Sequence, residues 1–215
     1  MSLMPRLMLL LLALSPLSAL AAPAPATLVE GEDYEVIEQP GPFAPLAGKV
    51  EVVEMFGYTC PHCAHFEPTL DAWAKKLPKD VRFTPVPAAF GGVWDSFARA
   101  YYAADQLGVA KRSHAAMFKA LHEAGSLPMQ NVSPDELAGF YAAYGVKADA
   151  YTAALKSEAV EQKIKYARAF AQRTKVPGTP ALLVNGKYLV KGTSFDDMLR
   201  NADALIARER AAKAR

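Results

Sequence analysis

KVEVVEMFGYTCPHC, residues 49–63, joins a β-branched, largely apolar run to a C-x-x-C pair. Lys49 to Phe56 reads as a buried central strand. A helix is predicted from about Cys60 to Lys76, with Phe66, Leu70, Trp73 and Leu77 at helical spacing and Pro78 marking its end. Cys60-Pro61-His62-Cys63 therefore falls where a strand gives way to a helix. Unpaired N–H groups and the positive end of the helix dipole gather there, so a sulfur at that point is favoured as thiolate, the nucleophilic form. Cys60 is the expected nucleophile. Pro61 suits the first helical turn, where its missing N–H costs nothing. His62 can add positive charge or a donor beside the sulfur. Cys63, about one turn further, faces inward and can resolve a bond made at Cys60.

Working outward, Val81 to Val86 reads as the next strand, giving a βαβ unit with parallel pairing. Tyr34 to Glu38 fits a short edge strand. From Trp94 to Arg173 the pattern is helical throughout, and aromatic residues such as Phe97, Tyr101, Phe118 and Tyr141 supply core faces. Within it, Ser133-Pro134-Asp135-Glu136 is a helix start with a capping box, and His114 and His122 read as ordinary, partly exposed histidines. Ala181 to Val184 and Lys187 to Lys191 form two strands joined at Asn185-Gly186, the dipeptide of a tight hairpin turn. A last helix starts near Ser194. The order implies an α/β domain in two parts, residues 32–93 and 174–215, with an all-helical insertion over 94–173.

The N-terminus has its own character: Arg6, an apolar run from Leu7 to Leu14, then Ala19-Leu20-Ala21. This is the pattern of a secretory signal peptide. The run is short for a membrane span of ~20 residues. Cleavage is placed after Ala21, so that residues 1–21 are removed and a loose Pro/Ala segment, 22–31, leads the mature chain. Export to the periplasm as a soluble monomer is expected. The 24 Lys and Arg against 22 Asp and Glu are scattered along the sequence, which argues against a nucleic-acid partner.

An exported protein with only two cysteines, in one C-x-x-C, has no disulfide framework. A bridge between them closes so small a loop that it constrains the unfolded chain little. The pair calls for a chemical explanation. Half of a zinc site is a weaker reading: His62 and His65 are near, but no second ligand pair follows at finger spacing.

At these residues the chain resembles the DsbA branch of the thioredoxin superfamily. The resemblance rests on C-P-H-C, on Val53-Glu54-Met55-Phe56 before it, on the helical insertion, and on Val176-Pro177-Gly178-Thr179-Pro180-Ala181 followed by Leu182-Leu183-Val184-Asn185-Gly186. It covers most of the sequence after the leader. It implies a thioredoxin-like fold with an inserted helical domain, and a cis peptide before Pro180 in a loop lying against the disulfide. It also implies that Thr179 and Pro180 present backbone to an extended substrate, and that Glu54, six residues before Cys60, is a buried acid relaying protons with Cys63. The implied activity is thiol:disulfide exchange, in which the Cys60–Cys63 disulfide is donated to reduced, unfolded exported proteins. No cofactor beyond that disulfide is implied. A quinone-linked membrane protein of the DsbB type would reoxidise it. Two other readings stay open at this point. A reductase or isomerase shares the fold, although residues 22–48 are too few for the N-terminal dimerisation domain such isomerases carry. A non-catalytic chaperone-like binding module would retain the disulfide only as structure.

Overall fold

A computed structural model describes residues 27–213 of the chain. The signal-peptide reading, residues 1–21, lies outside them. In chain order the elements are β1 (Tyr34–Val36), β2 (Val50–Phe56), α1 (Pro61–Ala74), β3 (Val81–Pro87), α2 (Val93–Gln106), α3 (Ala110–His122), α4 (Pro134–Ala142), α5 (Ala148–Leu155), α6 (Glu158–Arg173), β4 (Ala181–Val184), β5 (Tyr188–Val190) and α7 (Phe195–Lys213).

All seven residues of β2 are buried, as a strand covered on both faces requires. It lies inside a five-stranded sheet of order β1-β5-β4-β2-β3. β2 and β3 run parallel across the α1 crossover, whereas β2 with β4, β4 with β5, and β5 with β1 are antiparallel. Alternation along β2 divides the core. Val50 and Val52 join Phe66 and Leu70 of α1 and Leu205 of α7. Val53 and Met55 join a larger cluster built on the helices between β3 and β4, including Phe97, Met117, Tyr141 and Ile164. This is an α/β thioredoxin-like fold with a helical insertion. The insertion packs against the face of β2 that leads into the C-x-x-C, so the two parts of the molecule meet beneath it.

Local chemistry explains several boundaries. β3 carries Pro85 and Pro87, tolerated because β3 is an edge strand where a missing N–H breaks no ladder. Asn185 and Gly186 have φ of 51° and 57°, the left-handed pair of a two-residue hairpin turn. A Cβ on Gly186 would collide with the carbonyl of Gly41, which adds a contact reason to the conformational one. The Ser133 box forms in full: the Ser133 hydroxyl accepts from the Glu136 N–H at 3.2 Å, and the Glu136 carboxylate accepts from the Ser133 N–H at 2.8 Å. α1 ends at Ala74, short of the expected Lys76, and contains Pro68.

The expected loose segment 22–31 needs correction where it is described. Leu28 packs on the core beside Tyr34. The Val29 N–H donates to Asp33 Oδ2 at 2.9 Å, and Lys191 Nζ donates to the Gly31 carbonyl at 2.6 Å. Composition alone suggested mobility, while hydrogen bonds to the residues flanking β1 and β5 hold the segment from Leu28 onward.

Candidate active site

Cys60 is the N-cap residue of α1, with extended backbone (φ −83°, ψ 117°). The turn before it depends on Gly57, where any Cβ would drive into the indole ring of Trp94. The next residue, Tyr58, is held from both ends by α3. His114 Nδ1 lies 2.8 Å from its hydroxyl and His122 Nε2 lies 2.7 Å from its carbonyl oxygen. Both histidines are partly exposed, as expected, but the reading of them as ordinary is corrected: both fasten the strand-to-helix loop to the insertion.

Both cysteines are reduced and buried, Cys60 at 7% exposure and Cys63 at 0%. As a thiol, Cys60 donates to the Thr179 carbonyl at 3.3 Å. On ionisation that bond is lost, and other donors stabilise the anion. The Cys63 thiol acts most strongly, and the backbone N–H groups of Cys63 and His62 add to it. Against them stands the desolvation of a partly enclosed sulfur. The donors win, and the Cys60 thiol is lowered to about 5. Cys63 moves the other way, because its proton is the one shared with Cys60 and because it is buried. One helix start thus splits two chemically identical groups into a thiolate and a retained thiol.

The Thr179-Pro180 peptide is cis, and its loop lies over Cys60. Thr179 and Pro180 are only partly buried, leaving backbone open beside the sulfur. Pro61 and His62 are exposed. His62 acts on Cys60 through its backbone N–H.

Two acids of β2 show what kind of site lies below. Glu51 is fully buried and fully partnered: its carboxylate accepts from Arg82 Nη2 at 2.7 Å, Thr84 Oγ1 at 3.1 Å, and the N–H groups of Phe43 and Ala44 at 2.7 and 3.3 Å. Glu54, three residues on and just as buried, has an oxygen, Oε2, with no partner. A buried carboxylate without donors is costly as an anion and takes up a proton instead. Burial pushes the Glu54 carboxyl well above the usual carboxylate range, and the negative charges of Glu67 and Cys60 push it further. Glu54 therefore holds a proton near the cysteine pair, whereas Glu51 holds a salt bridge.

Neither Cys60 nor Cys63 shares a group of three close metal-type ligands with other described residues. No described helix is long and apolar enough to cross a membrane.

A family model described as a DSBA-like thioredoxin domain matches residues 86–203. The chain belongs to the DsbA family. It is 38% identical over 199 residues to the thiol:disulfide interchange protein DsbA of Pseudomonas syringae pv. tomato, a match covering 91% of each. Among solved structures, the oxidoreductase DsbA of Xylella fastidiosa aligns with a TM-score of 0.84 and 61% identity, covering 86% of this chain and 98% of that one. A DsbA variant from Proteus mirabilis, solved with a non-covalently bound peptide, aligns with a TM-score of 0.70 and 26% identity over 85% of this chain and 98% of that one. As a DsbA-family chain, it is a thiol:disulfide oxidoreductase of thioredoxin-like fold.

Sequence reasoning singled out both cysteines, Glu54, Thr179 and Pro180, and the structure brings them to one place. That reasoning did not find Glu67, which sits four residues after Cys63 and so on the same helical face. That i, i+4 relation was the available signal.

Proposed function

We propose that the protein donates the Cys60–Cys63 disulfide to reduced proteins newly exported to the periplasm. The observation that carries this reading is the split between a Cys60 lowered to about 5 and a Cys63 raised well above its ordinary value. Stabilising the Cys60 thiolate stabilises the reduced enzyme, which makes its disulfide the stronger oxidant. This direction is already known for the DsbA family.

In the exchange, a substrate thiolate attacks Cys60 Sγ. The Cys60–Cys63 bond breaks, a mixed disulfide forms, and the sulfur of Cys63 leaves with the electron pair. Cys63 then takes a proton, which Glu54, kept protonated by its burial, would supply. The substrate's second thiolate attacks its own sulfur in the mixed disulfide and expels Cys60 as thiolate. The substrate has lost two electrons and the enzyme has gained them. Of the two protons released, one ends on Cys63 and the other in solvent.

Thr179 and Pro180 would offer backbone to an extended substrate chain. A shallow groove lined by Ala89, Phe90, Ala171 and Val176, with Arg168 and Lys175 at its polar positions, lies next along the same loop. Phe90 is 45% exposed, an apolar foothold for an unfolded chain. A bound peptide in the Proteus mirabilis variant supports a peptide-sized occupant. The signal-peptide pattern supports the periplasm, a DsbB-type membrane quinone reductase would restore the disulfide, and no cofactor beyond it is needed.

The test mixes stoichiometric oxidised protein with a reduced, unfolded protein carrying several thiols. The expected result is loss of about two substrate thiols per enzyme, with the enzyme recovered as dithiol. An enzyme that stays oxidised would point to the binding module instead.

A further inference from the structure

Glu54 is not alone under the cysteines. Glu67 of α1 and His114 of α3 each bring one carboxylate oxygen or ring nitrogen to it, all within 4.8 Å of one another. Glu67 Oε2 is 3.5 Å from His114 Nε2. The opposite ring nitrogen of His114 is fixed by the Tyr58 hydroxyl at 2.8 Å, which leaves Nε2 turned toward the carboxylates. Neither Glu54 Oε2 nor His114 Nε2 has a close hydrogen-bond partner in the dithiol protein. Two buried acids and an imidazole at this spacing cannot all carry independent charges, since like charges in a poorly screened interior force one carboxyl to stay protonated. Glu54 is 1% exposed, whereas the side chains of Glu67 and His114 are 11% and 12% exposed, so the cluster grades from sealed core toward solvent.

We propose that Glu67 and His114 are positioning residues for the catalytic proton: with Glu54 they form one proton-sharing cluster that sets when Glu54 can give a proton to Cys63 or take one from it. This deepens the exchange mechanism proposed above and rests on it. Glu67 acts as a negative charge that keeps the Glu54 proton on, and His114, when cationic, acts in the opposite sense. The other titratable groups facing the cluster are Cys60 at the N-cap of α1 and Tyr101 of α2, against Glu54, and Tyr58 in the loop after β2, against Glu67 and His114. The neighbouring strand residues, Pro85 of β3 and Leu182 of β4, carry none.

The experiment is a carboxyl titration by NMR of the oxidised full-length mature protein labelled with carbon-13 glutamate, the Glu54 signal being assigned by its loss in Glu54→Gln. The pH profile of thiol exchange is recorded alongside. Glu67→Gln is expected to lower the Glu54 midpoint by about one pH unit or more, the scale of a charge pair at this distance, and Glu67→Asp to restore most of the shift. His114→Gln is expected to raise the midpoint over the range where His114 is cationic. Each exchange profile should move with its midpoint, and Glu54→Gln should abolish that inflection. Shifts of the same sign in Glu67→Gln and His114→Gln, or none in either, overturn the proposal, as does a stoichiometric metal found in the purified protein. Opposed shifts in the two variants beside a wild type that exchanges no disulfide would instead sink the function proposed above while leaving the cluster intact.

Discussion

Replacing Cys60 by Ser is expected to reduce disulfide transfer to the uncatalysed background, with the fold unchanged. Three facts lead to this. Cys60 is the more exposed of the two sulfurs and lies beside the Thr179 backbone. It carries the stabilised anion. A serine hydroxyl neither ionises in the working range nor forms a bond that a thiolate can exchange. The side chains are nearly isosteric, so the helix start should keep its shape, and because the thiolate's contribution is gone the variant is expected to melt near the oxidised wild type at pH 7, below the reduced one. The assay counts remaining substrate thiols under stoichiometric oxidised wild type and variant. The binding-module reading requires the two to behave alike.

The second expectation concerns stability. A thiol whose folded value is about 5, against roughly 8.5 when unfolded, is a group depressed by folding. Its contribution is complete above the unfolded value and is lost as pH falls through the folded one. Between those limits the slope is one proton's worth, about 1.4 kcal/mol per pH unit, which gives a contribution of a few kcal/mol at pH 7. The oxidised protein has no such thiol and lacks the term, and its tiny disulfide loop adds little in return. Reduced protein should therefore melt above oxidised protein by roughly 5–10 °C at pH 7 for a chain of this size, with the gap closing as pH falls toward 5. Cys63 works against this only at high pH. Its raised value stabilises the thiol, and that stability is lost as pH rises above the unfolded value. Calorimetry of both redox forms between pH 4.5 and 8.5 checks the prediction, and a pH-independent gap would contradict it.

Much of this was readable before any coordinates. Strand-then-helix patterning located Cys60-Pro61-His62-Cys63 at a helix start, where backbone chemistry decides which sulfur ionises. Asn185-Gly186 and the Ser133 box were legible because they are local, each resting on contacts within four residues. What escaped was contact between segments distant in sequence. His114 is 56 residues from Tyr58, and no periodicity says that a histidine on a helical insertion will turn inward to meet it. Glu51 and Glu54 look alike on one strand, yet Arg82 and Thr84 reach only the first.

Glutathione titration of the Cys60–Cys63 couple bears most directly on the account, because the stabilised thiolate and the donor role make the same demand on one number. The protein is equilibrated across ratios of reduced to oxidised glutathione, and its dithiol fraction is read at each. The account predicts a couple well above that of glutathione, so that the dithiol form persists even when oxidised glutathione is in large excess. A couple as reducing as about −270 mV, the range of thiol reductases, would contradict it and return the chain to the reductase reading.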